Sequence, residues 1–83
     1  MNLYRIEYEK QAKKFLESRN PIEQERILAA ISELPKGTDI VKMQGFDRRY
    51  RLRVGDYRII YDKYDDYYLI LIIKIGNRGD VYK

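Results

Sequence analysis

The stretch from Arg48 to Tyr61, RRYRLRVGDYRIIY, is the feature that most constrains what this chain can become. Tyr50, Leu52 and Val54 alternate with Arg49, Arg51 and Arg53 until Gly55-Asp56 interrupts the run. That two-residue period is the mark of a strand with one buried face. Gly-Asp suits a type II′ turn, because glycine takes the positive φ of the first turn position without a steric penalty. A two-residue loop then sets the register: Val54 faces Tyr57, Arg53 faces Arg58, Leu52 faces Ile59 and Arg51 faces Ile60. Arg53 and Arg58 become direct cross-strand neighbours.

Like charges opposed on one sheet face are unfavourable, so a hairpin built this way is expected to hold something anionic. Arginine offers a planar fork of donors that matches phosphate oxygens, which makes a polyphosphate the first ligand to consider. The plainer alternative is a solvated strand face whose arginine stems cover apolar surface, as antiparallel sheets often have.

The rest of the chain is read around that hairpin. Eighty-three residues are enough for one modest core, so a single domain spanning residues 1–83 is expected, with its function on the surface. The chain has neither cysteine nor histidine. Disulfides, thiolate chemistry and the commonest metal ligand are therefore excluded, as is the side chain that most readily exchanges protons near neutrality. Asp62, Asp65 and Asp66 read as a turn cluster, and no metal or cofactor is expected. The longest apolar run, from Tyr67 to Ile73, is far too short to cross a bilayer, and a cytoplasmic protein without membrane contact is expected.

The net charge of +4 is unevenly spread: residues 42–58 hold six Lys/Arg against two Asp/Glu, while the segments on either side are balanced. A basic patch on a near-neutral scaffold is the footprint of a nucleic-acid or acidic-protein partner.

In chain order, Asn2 to Tyr8 alternates and reads as a strand. From Glu9 to about Ser18, Ala12, Phe15 and Leu16 form the i, i+3, i+4 stripe of an amphipathic helix. Lys10, Lys13 and Lys14 fall on its solvated side. Asn20-Pro21-Ile22-Glu23 is a helix start, with an asparagine cap, proline at the first helical position and glutamate three after the cap. Ile27, Leu28, Ile31 and Leu34 supply its apolar face, and Pro35-Lys36-Gly37 ends it. Residues 38–46 show little periodicity and read as a connection. Tyr57 to Tyr64 is a strand, Asp65-Asp66 a turn, Tyr67 to Ile75 a near-continuous apolar strand, and residues 76–80 a loop. The tyrosines at 57, 61, 64, 67 and 68 are expected to pack the sheet or sit at its edge, with base stacking as the alternative. The expected class is α+β: β-α-α-β-β-β, a helical hairpin packed on a twisted, mostly antiparallel four-stranded sheet.

Three features together resemble the RelE/ParE toxin superfamily: Tyr50 to Tyr61, the ending Ile75-Gly76-Asn77-Arg78-Gly79-Asp80-Val81-Tyr82, and the element order. The ending resembles the RelE-like branch. The resemblance implies the toxin of a type II toxin–antitoxin pair, a ribosome-dependent endoribonuclease that cuts mRNA in the decoding site and is neutralised by a cognate antitoxin. The implied chemistry needs no metal: the 2′-hydroxyl attacks the adjacent phosphate, leaving a 2′,3′-cyclic phosphate and a 5′-hydroxyl.

Carried over by position, Arg51 and Arg53 fall where RelE has two active-site lysines. Arg58 falls on the arginine of a tyrosine–arginine pair, Arg78 on the arginine of the C-terminal loop, and Tyr82 on a late tyrosine that stacks on a base. Lys42, Arg48 and Arg49 extend the basic segment and are expected to contact RNA. Arginine keeps its proton up to a pKa above about 12, so none of these is a good general base, and Asn77 stands where many relatives have histidine. The same superfamily offers a gyrase-inhibiting, ParE-like reading, and a third in which the chain is a non-catalytic partner in a repressor complex.

Overall fold

The computed structural model describes residues 3–77. Its elements are β1 (Arg5–Tyr8), α1 (Lys10–Glu17), α2 (Pro21–Ser32), β2 (Ile40–Lys42), β3 (Arg49–Val54), β4 (Tyr57–Tyr64) and β5 (Leu69–Asn77). The sheet runs β1-β5-β4-β3-β2, antiparallel throughout except for the parallel pair of β1 with β5. The two helices cover one face. The α+β class and the element order are those expected, but the sheet has five strands where four were expected. The addition is β2, inside the segment read as a connection. Three residues are too few to show a period, and β2 is defined by its partner, with Ile40, Val41 and Lys42 opposite Leu52, Arg51 and Tyr50.

Local chemistry accounts for the other boundaries. The Asn20 side chain accepts a hydrogen bond from the Glu23 amide at 2.9 Å, and Pro21 opens α2. This satisfies one of the amide donors that a helix start leaves without an intrahelical partner. The hairpin register is the expected one, from Arg49 opposite Asp62 to Val54 opposite Tyr57. Positive φ falls on Gly55 (+57°) and not on Asp56, as a type II′ turn requires. A single-turn 3₁₀ helix over Asp65–Tyr67 leads into β5, which starts at Leu69 and runs on to Asn77, through part of the expected loop.

The core lies between helices and sheet. Ala12, Leu16, Ile27, Ile31 and Leu34 pack onto Leu52, Val54, Tyr57, Ile59, Tyr61, Ile70, Ile72 and Ile75. On β5 the inward residues are 70 and 72 and then 75, a step of three. A β-bulge causes it: Ile60 pairs with Lys74 while Tyr61 pairs with Ile72, so β5 carries one extra residue. The continuous apolar run in the sequence therefore hides a change of phase. Lys74 shares the parity of Ile70 and Ile72, yet the bulge turns it to the face away from the helices. No helix among the described residues is long and apolar enough to cross a membrane.

Candidate functional site

The face away from the helices carries the alternate residues of β3 and β4. Two rows of side chains cross it. One runs Val41, Arg51, Ile60, Lys74, and the next, nearer the turn, runs Arg53, Arg58, Gly76. Ile60 is buried and Gly76 has no side chain, so the cations are placed around a buried apolar position.

Arg53 and Arg58 are direct neighbours, and the chain relieves their repulsion unequally. Arg53 Nε donates to Asp39 Oδ2 at 2.6 Å, and its amide donates to the Asp39 carbonyl at 3.1 Å. Asp39 is held for this in a left-handed conformation, φ +64°. Part of the anion that the opposed arginines call for is thus internal. Arg58, only 5% exposed, has no carboxylate partner among the described residues: Nη1 donates to the carbonyls of Tyr57 at 3.0 Å and Gly55 at 3.3 Å. Carbonyl dipoles orient a guanidinium but leave its net charge in place. A buried cation held by carbonyl dipoles is poised for an anion.

The expected residues separate at this point. Arg51, Arg53 and Arg58 share one face. Arg49 is on that face too, but its Nε and Nη2 are bound to the two oxygens of the buried Asp62 at 2.8 and 3.0 Å, and its guanidinium lies 4.7 Å from the Phe46 ring centroid. The hydrogen bond to Asp62 is the main reason its pKa is raised. Lys42 pairs opposite Tyr50, which puts it on the other face of the edge strand. Arg48 lies over the Tyr64 ring at 4.7 Å, beside a cavity of about 210 Å³ that Tyr50, Lys63 and Asp65 also line. Arg78 and Tyr82 lie outside the described residues.

Of the tyrosines, Tyr57 and Tyr61 are buried in the core, Tyr50 stacks on Tyr61 at 5.5 Å, and Tyr67 and Tyr68 are exposed. Two residues were missed in the sequence. Asp39 had no signal, since its role depends on the pairing of β2. Lys74 had one: it is the lone charge in an otherwise apolar stretch from Leu69 to Ile75.

The family model described as "ParE toxin of type II toxin-antitoxin system, parDE" matches residues 6–82. A comparison with curated proteins gives no match. Among solved structures, the chain is similar to one in the archaeal RelE–RelB complex from Pyrococcus horikoshii OT3, with 33% identity over 95% of this chain and 98% of that one, and a TM-score of 0.80. It is similar to one in the RelB–RelE antitoxin–toxin complex from Methanococcus jannaschii, with 28% identity, 92% and 94% coverage and a TM-score of 0.74. The isolated E. coli RelE toxin shares the fold, with 22% identity, 95% and 90% coverage and a TM-score of 0.73.

Proposed function

Because the chain belongs to the ParE toxin family, within the RelE/ParE superfamily of type II toxins, we propose that it is a ribosome-dependent endoribonuclease acting on mRNA. The observation that carries this reading is Arg58, buried, held by carbonyls and facing Arg53, with Arg51 on the same face. The residues 1–83 act as one toxin domain.

In-line attack of a 2′-hydroxyl on the neighbouring phosphate gathers negative charge on the phosphoryl oxygens. Donors fixed before the reaction stabilise that charge more than they stabilise the ground state. Arg58 and Arg53 bind the phosphoryl oxygens, and Asp39 aims Arg53 through Nε, so that its two terminal nitrogens face the ligand. Arg51 grips the adjoining phosphate. Arg78 completes the cage, and Tyr82 stacks on a base to hold the sugar in line. A cognate antitoxin is the protein partner. It neutralises the toxin by laying an acidic or amphipathic segment on the basic face.

The description of the matching family as ParE favours a second reading, inhibition of DNA gyrase, in which the arginines serve protein contacts. One experiment separates the two: induction in cells, with mRNA 5′ ends mapped and gyrase-linked DNA breaks measured in the same culture. Cuts inside translated codons that vanish in Arg58→Ala and Arg78→Ala variants of unchanged circular dichroism support the ribonuclease. Intact messages with broken DNA overturn it.

A further inference from the structure

We propose that Lys74 is a catalytic residue of this site, the group that hands a proton to the leaving 5′-oxygen of the cut strand. The inference rests on the ribonuclease reading and adds to it a residue that neither the sequence pattern nor the resemblance singled out.

Three observations carry it. The first is the bulge. With unbroken alternation Lys74 would follow Ile70 and Ile72 into the core, and the extra residue in β5 turns it to the arginine face. Bulges beside functional sites commonly re-aim one side chain, and here the re-aimed residue is the only charged one in Leu69–Ile75.

The second is position. Lys74 and Arg51 flank Ile60 in a single row across three strands, so their backbones are about 9–10 Å apart, two strand spacings. Two long cationic side chains based on either side of a buried isoleucine are within reach of one ligand seated above it. In the adjacent row Arg58 faces Gly76, which leaves the diagonal between Arg58 and Lys74 free of a side chain from β5. A phosphate seated over Ile60 thus meets Arg51 on one flank and Lys74 on the other, with Arg58 and Arg53 toward the turn.

The third is chemical type. Among the described residues, the other cations placed around Ile60, namely Arg51, Arg53 and Arg58, are all arginines. A guanidinium keeps its proton to a pKa above about 12, whereas a lysine ammonium has a reference pKa of about 10.4. A lysine side chain therefore yields a proton to a departing alkoxide more readily than a guanidinium does. Among the described residues the carboxylates on the same face are already engaged, Asp62 with Arg49, Asp39 with Arg53 and Glu7 with Arg5.

In the step, O2′ bonds to phosphorus and its proton passes to solvent water. The P–O5′ bond breaks, and O5′ takes one proton from Lys74 Nζ. The neutral amine regains a proton from water, and the products are the 2′,3′-cyclic phosphate and the 5′-hydroxyl.

The test uses the full chain on ribosomes programmed with an mRNA whose scissile 5′-bridging atom is either oxygen or sulfur. A thiolate leaving group, with a thiol pKa near 8.5, needs no proton to depart. Lys74→Met keeps an aliphatic stem of similar length and removes the ammonium, and Lys74→Arg keeps the charge. Wild type is expected to cut both substrates. Lys74→Met is expected to lose about 10²–10⁴-fold on the oxygen substrate and to cut the sulfur substrate within about threefold of wild type. Lys74→Arg should stay more than about tenfold slow on oxygen alone. Equal losses on both substrates, or none on either, overturn the assignment. Wild type that cuts neither substrate refutes the ribonuclease reading itself, and the role of Lys74 falls with it.

Discussion

Replacing Arg49 by methionine should destabilise this protein far more than replacing its partner Asp62 by leucine, and changing both together should restore most of the loss. The asymmetry follows from burial. The Asp62 side chain is 10% exposed and the Arg49 side chain 29%. Without Arg49, a carboxylate is left in the sheet with its two charge-assisted hydrogen bonds gone, which costs about 3–5 kcal/mol. Without Asp62, the guanidinium keeps its place against Phe46, reaches water, and loses only the net value of the pair, about 1–3 kcal/mol. In the double variant the two apolar side chains lie beside Leu71, the β5 neighbour of Asp62, and an apolar pair of this kind is often neutral or better.

A chain of 83 residues has about 4–12 kcal/mol of stability in total, so Arg49→Met alone should lower the melting temperature by on the order of 15–30 °C. Thermal and urea unfolding of the four proteins in the cycle give the coupling energy directly. Equal losses in the two single variants, or a double variant less stable than Arg49→Met, would refute the argument from burial. The double variant also isolates the contribution of Arg49 to RNA contact. If it folds and cleaves like wild type, Arg49 serves the sheet; if it folds and binds RNA poorly, the nitrogen left outside the pair contacts the ligand.

Two further outcomes test the scaffold. Gly55→Ala places a Cβ where the Arg26 guanidinium now lies, 2.7–3.1 Å away, at a φ of +57°. The Arg26 side chain is over half exposed and can swing aside, so the cost should be the left-handed strain alone, about 1–2 kcal/mol by thermal unfolding. A loss above about 3 kcal/mol would mean that Arg26 is anchored, and none would mean that the turn relaxes. Burial, and then neighbouring Tyr50, push the Tyr61 phenol up to about 12 from its ordinary 10.0. The folded state therefore holds this proton more tightly than the unfolded chain. Its contribution is complete below pH 10 and declines as the pH rises from there through about 12. Unfolding midpoints should fall across that window in the wild type and fall less steeply in Tyr61→Phe, and identical slopes would exclude Tyr61 as the source.

Much of this architecture is legible in the residues themselves, wherever the determining interaction is local. A two-residue turn leaves one register for the flanking strands, so the opposition of Arg53 and Arg58 follows from counting. Asn20, Pro21 and Glu23 announce the start of α2 because the capping bond closes within four residues. The stripes at Ala12 and Leu16, and at Ile27 and Ile31, identify the buried helix faces.

What the sequence leaves open depends on partners distant in the chain. β2 exists because Ile40 meets Leu52, and Asp39 becomes the anion of Arg53 only once that pairing forms. Asp62 takes both oxygens to Arg49 across thirteen residues of chain, which removes from the basic patch an arginine that composition alone counts as free. The face on which Lys74 sits is decided by one extra residue in the pairing of β5 with β4. A side-chain period of two records orientation only while the ladder is unbroken. A uniformly apolar run carries no mark of where the break falls, so the sequence by itself determined the hairpin with its opposed Arg53 and Arg58 and the fold class, and the tertiary pairing decided which further charges join them.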